Sequence, residues 1–506
     1  MPPESPAPAA FSHREIVVIL LGLALGLFLS ALDQSILGTV LPRISADLGG
    51  GDTIAWVVSG YLLANTAVTP VYGKLSDIYG RKRMLQTAIL LFTLGSLLCA
   101  LAQSMLQLIL FRILQGVGGG GLMSMAFAVI GTIVPPRQRG RYQGYFSTVW
   151  GVSSILGPAL GGLFADYLDW RWVFWINLPL GLVAWLVNER TLRRLPVIHR
   201  RPRIDYPGAV LIVAAASCLL LAMTLVGQTG SWRSPEVALF AGASLLLFLL
   251  TAIQECRHPE PILPPRLFRI PTFVISNSVN LLSFMGLIAA GIFMPIFFQL
   301  VYGVSAARSG VLVIPFLLIW TLSSLLVGQI VARTGRYKRY PIITLALATV
   351  GSFLMSRVTG DTPLVLTLAY SWLLAAGSGA VGTVTFLSVQ NAVPLADIGV
   401  ATASLTFTRN LGGAFGVALF ATLLIADSDA VLRTDPAASI LGPNPGAELL
   451  HHGSQAIADA PPELRGLVEA ALTQGFQSMF LAGAVIAGLA FVAALFVKEL
   501  PLRTSL

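Results

Sequence analysis

The chain has 506 residues, of which 55% are hydrophobic and only 11% charged, with a formal net charge of +9. So little charge cannot cover a water-soluble surface, which excludes a soluble globular enzyme and implies a chain that lives in lipid. The positive excess lies in loops between apolar runs, so it is a signal of membrane topology and not a nucleic-acid-binding face.

Residues 1–13 hold four prolines and few apolar side chains and read as a disordered cytoplasmic tail. Fourteen apolar runs follow, at about 16–41, 54–73, 84–103, 106–133, 141–165, 172–189, 206–227, 236–254, 272–300, 309–331, 341–357, 363–388, 399–425 and 475–497. A bilayer core about 30 Å thick needs about 20 apolar residues per helix. Barrel strands would be about 10 residues long with alternating polarity. The expectation is therefore an all-α membrane protein with 14 transmembrane helices. The first run is too long for a cleavable signal peptide, lacks a small-residue cleavage site and carries Asp33, so it stays as a helix. With the N-terminus in the cytoplasm, 23 of the 32 Lys and Arg residues fall on inner loops and ends, and seven on the outer side. Because the run number is even, this bias predicts that both termini are cytoplasmic.

Asp33 is the carboxylate well inside a run, about 25 Å along the first helix. A charge at that depth costs roughly 2.5–3.5 kcal/mol, so the side chain is expected to face the bundle interior or a wet cavity. There it could be protonated reversibly, as proton coupling requires, or serve as a structural carboxylate hydrogen-bonded to a neighbouring helix. Between the second and third runs stands Gly73-Lys-Leu-Ser-Asp77-Ile-Tyr-Gly80-Arg81-Lys82-Arg83. Its Gly73, Asp77, Gly80 and Arg81 read as a gate in which charge pairs join helix ends and break on opening. In the fourth run, Arg112 cannot lose its proton and must find an acceptor, with Asp33 or backbone carbonyls as candidates. The fifth run holds Gly151, Gly157, Pro158 and Gly161, a kinking proline with small residues on one face, expected to be a hinge or a packing seam.

The loop sequence has a degenerate copy, Gly328-Gln-Ile-Val-Ala332-Arg333-Thr-Gly335-Arg336, at an offset of 255. Val134-Pro135 likewise matches Val393-Pro394 at an offset of 259. A near-constant shift marks a parallel repeat of two six-helix bundles, 14–190 and 271–506, with an inserted helix pair and its linkers at 191–270. At the second offset Ser371 replaces Arg112, so the charge is missing from the second half. The extracytoplasmic stretch 427–474 is expected to be a solvated connector with one short helix, or else to serve substrate exit or contact with a partner. Arg409 on the thirteenth run is a candidate for contact with an anionic or polar substrate, or for capping carbonyls. Trp150, Phe316, Trp320 and Phe407 could line an aromatic cavity for flat cations.

The three cysteines, Cys99, Cys218 and Cys256, have no metal-ligand spacing, and no disulfide, metal or cofactor is expected. An enzyme would need a nucleophile, paired carboxylates or a metal cluster, and Asp33 alone supplies none of these. A receptor or scaffold that moves no solute is the rival from another class.

Together these motifs resemble the major facilitator superfamily over nearly the whole chain. Gly73 to Arg83 is similar to its loop signature between helices 2 and 3, Arg112 to Gly120 to its helix 4 signature, and Gly151 to Gly162 to the helix 5 motif of antiporters. Leu32-Asp33-Gln-Ser-Ile36 to Leu41-Pro42, and Asp169-Trp170-Arg171-Trp172-Val-Phe174-Trp-Ile-Asn177-Leu-Pro179, resemble signatures of the fourteen-helix, QacA/EmrB-like drug:proton antiporters. The resemblance implies a major facilitator fold and a proton-coupled multidrug exporter working by alternating access in a bacterial plasma (inner) membrane. Its cargo would be amphipathic or cationic drugs, dyes or quaternary amines, or else one native molecule such as a lipid, siderophore or antibiotic. Asp33 would carry the proton or meet a cationic drug, Arg112 would assist proton transfer, and Asp77 with Arg81 would latch the inward gate. Protons, membrane lipid and a small amphipathic substrate are the implied partners of a monomer. Members that export divalent cations often hold further acidic residues in the second half, and runs 309–331 and 399–425 have none, which puts dication export in doubt.

Overall fold

The computed structural model describes residues 13–49, 53–194, 205–229, 231–434, 446 and 462–502. Apart from His13, the expected N-terminal tail lies outside the described residues, as do most of the basic loop 190–203 and most of the connector 427–474. Among the described residues every regular element is helical. The first group is α1 (His13–Leu48), α2 (Ala55–Tyr79), α3 (Arg81–Ala100), α4 (Met105–Ile133), α5 (Pro136–Tyr167), the single-turn α6 (Trp172–Trp175) and α7 (Asn177–Thr191). Then come α8 (Tyr206–Thr229) and α9 (Pro235–Arg257), followed by α10 (Pro271–Tyr302), α11 (Ala306–Thr334), α12 (Arg339–Met355), α13 (Leu364–Ala392), α14 (Ile398–Leu432) and α15 (Pro462–Leu495).

Twelve helical segments are long and apolar enough to cross a membrane by length and composition, with α6 and α7 forming one of them. The expected run 172–189 is broken at Ile176, just before Pro179, whose ring removes a backbone donor from the first turn of α7. The two remaining helices, α2 and α12, complete the fourteen. Helix α2 is less apolar because it turns Asn65, Thr66, Thr69, Lys74 and Ser76 inward onto its neighbours, while α12 is short at 17 residues. Local chemistry sets several ends: Ser104, Ser234 and Ser305 accept backbone N–H bonds at the starts of α4, α9 and α11, and Gly303 and Gly335 close α10 and α11 in the left-handed region.

In the first group α1 packs on α5 and α7, and α2 and α3 pack on α4. In the last group α10 packs on α14 and α15, α11 and α12 on α13, and α12 on α15. The two groups meet where α5 crosses α11 and α2 crosses α14, and the pair α8–α9 lies beside them with α8 against α2 and α14. One apolar cluster joins both groups at the end that bears the 73–83 loop. It includes Phe127, Ile133 and Phe146 from the first group and Phe386, Val393 and Ile398 from the last. At the opposite end the two large clusters stay separate, one built from residues between Ile36 and Trp175, the other from residues between Phe284 and Ala487. The molecule is thus sealed at the loop end, where Phe127 and Phe386 stack with centroids 4.4 Å apart.

The repeat has a structural meaning. Gly73 and Gly328 each sit where a helix of one group touches the other group: a Cβ at Gly73 would collide with Ala403 on α14, and one at Gly328 with Gly140 on α5. Gly80 and Gly335, seven residues on, both have positive φ (90° and 70°) and end their helices so that the chain can turn.

Candidate transport site and gate

Asp33 sits on α1 with its side chain fully buried, where three donors from two other helices converge on it. Arg112 Nη1 of α4 donates to Oδ2 at 2.6 Å, Gln115 Nε2 of α4 to Oδ1 at 2.8 Å, and Asn177 Nδ2 of α7 to Oδ1 at 3.1 Å. Arg112 in turn donates to the Gln115 Oε1 at 2.7 Å and to the Val57 carbonyl at 3.2 Å, and lies 4.3 Å over the Tyr61 ring. Asn177 also donates to Ser96 Oγ, which donates to the Phe174 carbonyl. The expected pair of Asp33 and Arg112 is therefore in contact, and of the two expected settings, bundle interior or wet cavity, the carboxylate takes the first: it lies inside the first helical group, closed in by its own donors. Six helices, α1, α2, α3, α4, α6 and α7, contribute to this one network. In the second group the counterpart of Arg112, Ser371, is buried and donates only to Leu368 of its own helix.

A second arginine lies between the groups. Arg409, about 17 Å along α14, is half-buried, with its guanidinium carbon 4.4 Å from the Phe284 ring centre and 5.6 Å from that of Trp150. The alternative of an arginine capping carbonyls is not what the described residues show. Beside it Asn410 Nδ2 approaches Asn65 Oδ1 at 3.4 Å, a weak link between α14 and α2. Trp150 and Trp320 are half-buried, and among the described residues neither indole Nε1 has a hydrogen-bond partner. Phe316 and Phe407, expected to line the same cavity, do not. Phe316 is buried in the apolar core of the last group, and Phe407 packs with Ala216 and Leu220 of α8. An aromatic in a membrane helix fills core as readily as cavity, and here both rings follow the apolar face of their helix.

The gate residues converge at the loop end. Asp77, at the end of α2, accepts from Gly399 N at 3.0 Å and from Val400 N at 2.9 Å, so it caps the first turn of α14 across the interface. Its Oδ1 also meets Arg81 Nη2 at 3.3 Å, and Arg81 Nη1 donates to the Ala128 carbonyl of α4. A carboxylate at a helix N-terminus satisfies orphan donors and complements the macrodipole. The repeat performs the same task with other groups: Arg137 at the start of α5 donates to the Ala332 and Arg333 carbonyls at the end of α11. Deeper in, Arg139 Nη1 donates to the Gln390 carbonyl, and Gln390 Nε2 donates to the Phe127 carbonyl and to Thr402.

On α5, Gly157 and Gly161 press against Ser35, Ile36 and Thr39 of α1, and Ser35 Oγ donates to the Ser153 carbonyl at 2.8 Å. Pro158 is exposed on the outer side of the same helix. Gly151 faces the other way, where a Cβ would come 2.7 Å from Thr321 of α11. It ends a row missed in the sequence: Gly140 lies against Gly328, Gly144 against Leu325, Ser147 bonds Ser324 at 2.8 Å, and Gly151 meets Thr321. The spacing 140, 144, 147, 151 is the signal that could have found it, since small residues every third or fourth position permit close crossing. Gln115, Asn177, Gln390 and Gln143, whose Nε2 donates to Gln390 Oε1 at 3.3 Å, were missed as partners as well, although Gln115 and Asn177 stand inside motifs singled out for their neighbours.

A family model described as Major Facilitator Superfamily matches residues 23–417. An uncharacterized MFS-type transporter of Mycobacterium tuberculosis is 37% identical over 490 residues, spanning 96% of this chain and 70% of its own length. The multidrug transporter protein MdtP of Bacillus subtilis is 34% identical over 420 residues, 82% of this chain and 76% of that protein. Among solved structures, the proton:xylose symporter XylE has the same fold, with a TM-score of 0.66 at 15% identity over 97% of this chain and 98% of the other.

Proposed function

This chain belongs to the Major Facilitator Superfamily and is a multi-pass membrane transporter, and from that premise we propose that it is a proton-coupled antiporter that exports amphipathic molecules by alternating access. The two halves are 14–190 and 271–506, joined by the inserted pair within 191–270, and both termini and the 73–83 loop are cytoplasmic, so the conformation described is closed to the cytoplasm. Naming of the similar B. subtilis protein as a multidrug transporter supports the broad cargo class. The observation that carries the proton role is the full burial of an ion pair, Arg112 on Asp33, which ties α1 to α4 within the first half.

The physics is that of a two-state tie. An ionised Asp33 accepts three bonds and neutralises Arg112, fastening α1 to α4 and α7. A proton on the carboxylate removes the charge that Arg112 faces and turns one acceptor into a donor, so the same three donors no longer fit. Because α1 carries Ser35 and Thr39 against α5, and α5 carries the row against α11, a shift of α1 reaches the interface between the halves. Gly151, Gly157, Pro158 and Gly161 serve as the bending element of α5 in this scheme. Asp77 with Arg81 and the glycines at 73 and 80 form the cytoplasmic latch, and Trp150, Trp320 and Arg409 face the cargo.

Reconstitution in liposomes tests the reading. An imposed pH gradient is expected to drive dye movement by the wild type, and Asp33→Asn to abolish coupled movement while dye binding persists. Unchanged proton-driven transport in Asp33→Asn removes the proton role from this residue.

A further inference from the structure

The middle of the spans holds two arginines, Arg112 and Arg409, and one carboxylate, Asp33. Asp33 is taken up entirely by Arg112, Gln115 and Asn177. Arg409 has no hydrogen bond and no ion pair among the described residues; its contacts are the faces of Phe284 on α10 and Trp150 on α5, one ring from each half. The indole donors of Trp150, whose ring lies against Arg409, and of Trp320 on α11, which packs on α5, are also without partners among the described residues.

We propose that Arg409 is the charge-selecting group of the transport site and that the cargo is an amphipathic anion, an apolar body bearing a carboxylate, sulfonate or phosphate. The inference rests on the transporter reading and narrows its cargo. A guanidinium does not lose its proton, and in a low-dielectric interior an unpaired one carries a penalty that an arriving acceptor removes. Ring faces take up part of the charge and leave the N–H edges free, which is the geometry for gripping an oxyanion with two parallel bonds. The unpartnered indole N–H groups have the same sense: they offer donors to the cargo and no negative charge. A cationic amphipath would meet repulsion at Arg409 and no accessible carboxylate, since Asp33 is sealed within the first half.

Three probes sharing one body decide it: 1-pyrenebutyrate, 1-pyrenebutanol and 1-pyrenebutyl-trimethylammonium, titrated against the full chain in nanodiscs by energy transfer from tryptophan, with empty nanodiscs as background. The wild type is expected to bind the anion about tenfold or more tightly than the cation. Arg409→Gln should lower anion affinity about tenfold or more and leave the alcohol unchanged, while Arg409→Lys, which keeps the charge but loses the fork, should fall between. Equal binding of anion and cation by the wild type overturns the proposal. So does unaltered anion affinity in Arg409→Gln, or in Arg409→Lys should the glutamine variant not fold. Export from proteoliposomes separates this inference from its premise. Arg409-dependent anion binding without solute movement sinks the transporter reading and leaves the site standing. Proton-driven export of the cation but not the anion sinks the anion site and leaves the transporter reading standing.

Discussion

At Asp33 a single carboxylate satisfies an arginine, a glutamine and an asparagine, and the arrangement fixes what substitution does. Asp33→Asn keeps an acceptor oxygen but strips Arg112 of its counter-charge in a fully buried site, which is expected to cost about 3–5 kcal/mol of stability. Arg112→Gln in the same chain removes the stranded charge, so the double variant should melt above Asp33→Asn alone. A double variant as unstable as the sum of the singles contradicts the pairing. Asp33 and Arg112 were legible in the sequence because a charge in an apolar run has no innocuous explanation. Gln115 and Asn177 were not, since an uncharged polar side chain in a helix does not announce which neighbour it bonds. Phe316 and Phe407 failed for a related reason: ring identity says nothing of which helical face meets cavity, core or the inserted pair.

Among the elements, α14 depends on a cap supplied by another helix. Asp77 accepts from Gly399 and Val400, and replacing a capping carboxylate by Ala costs about 0.5–2 kcal/mol. Here that loss falls only on the closed form, because the cap exists only while α2 and α14 touch. Asp77→Ala is therefore expected to raise the labelling rate of a cysteine placed at Thr402, buried beneath the latch, by a water-soluble maleimide about twofold to thirtyfold. An unchanged rate means that Asp77 is no latch. The inserted pair adds a strap at the same end, in which the linker after α9 ties Lys74 of α2 through Glu260 at 3.0 Å and Asp397 before α14 through Arg266 at 2.8 Å. With Glu260 and Arg266 partly or largely exposed, each pair contributes at most about 1 kcal/mol, so the cap outweighs either strap.

On the scale of the whole molecule, two halves rocking about the row of small residues between α5 and α11 require that row to separate at the loop end. Cysteines in place of Ser147 and Ser324, whose hydroxyl oxygens lie 2.8 Å apart in that row, are expected to oxidise to a bridge that arrests transport until reductant is added. Continued transport by the bridged protein contradicts the rocking motion. Charge balance gives a second expectation. One proton entering for one monoanion leaving moves two charges inward, worth about 4.6 kcal/mol per 100 mV, whereas exchange for a monovalent cation moves none. An inside-negative potential alone should then drive export of the anionic probe. Export indifferent to a clamped potential is the opposing outcome.

The sequence by itself determined the class, the number of long helices and the glycines of the repeat, because each rests on local quantities: the length of apolar runs, the charge of loops, and glycines at a near-constant shift. It also marked Asp33, Arg112, Asp77 and the glycines at 73 and 80, which break the rules of an apolar helix or a tight turn. Only the tertiary structure decided that Asp33 is enclosed in a fully buried network within one half, that Asp77 caps a helix of the other half more than 300 residues away, and that Arg409 stands between the halves with no counter-charge among the described residues. Those facts depend on which helical faces meet across the fold. The meeting is set by close packing among many helices at once, and no single helix encodes it.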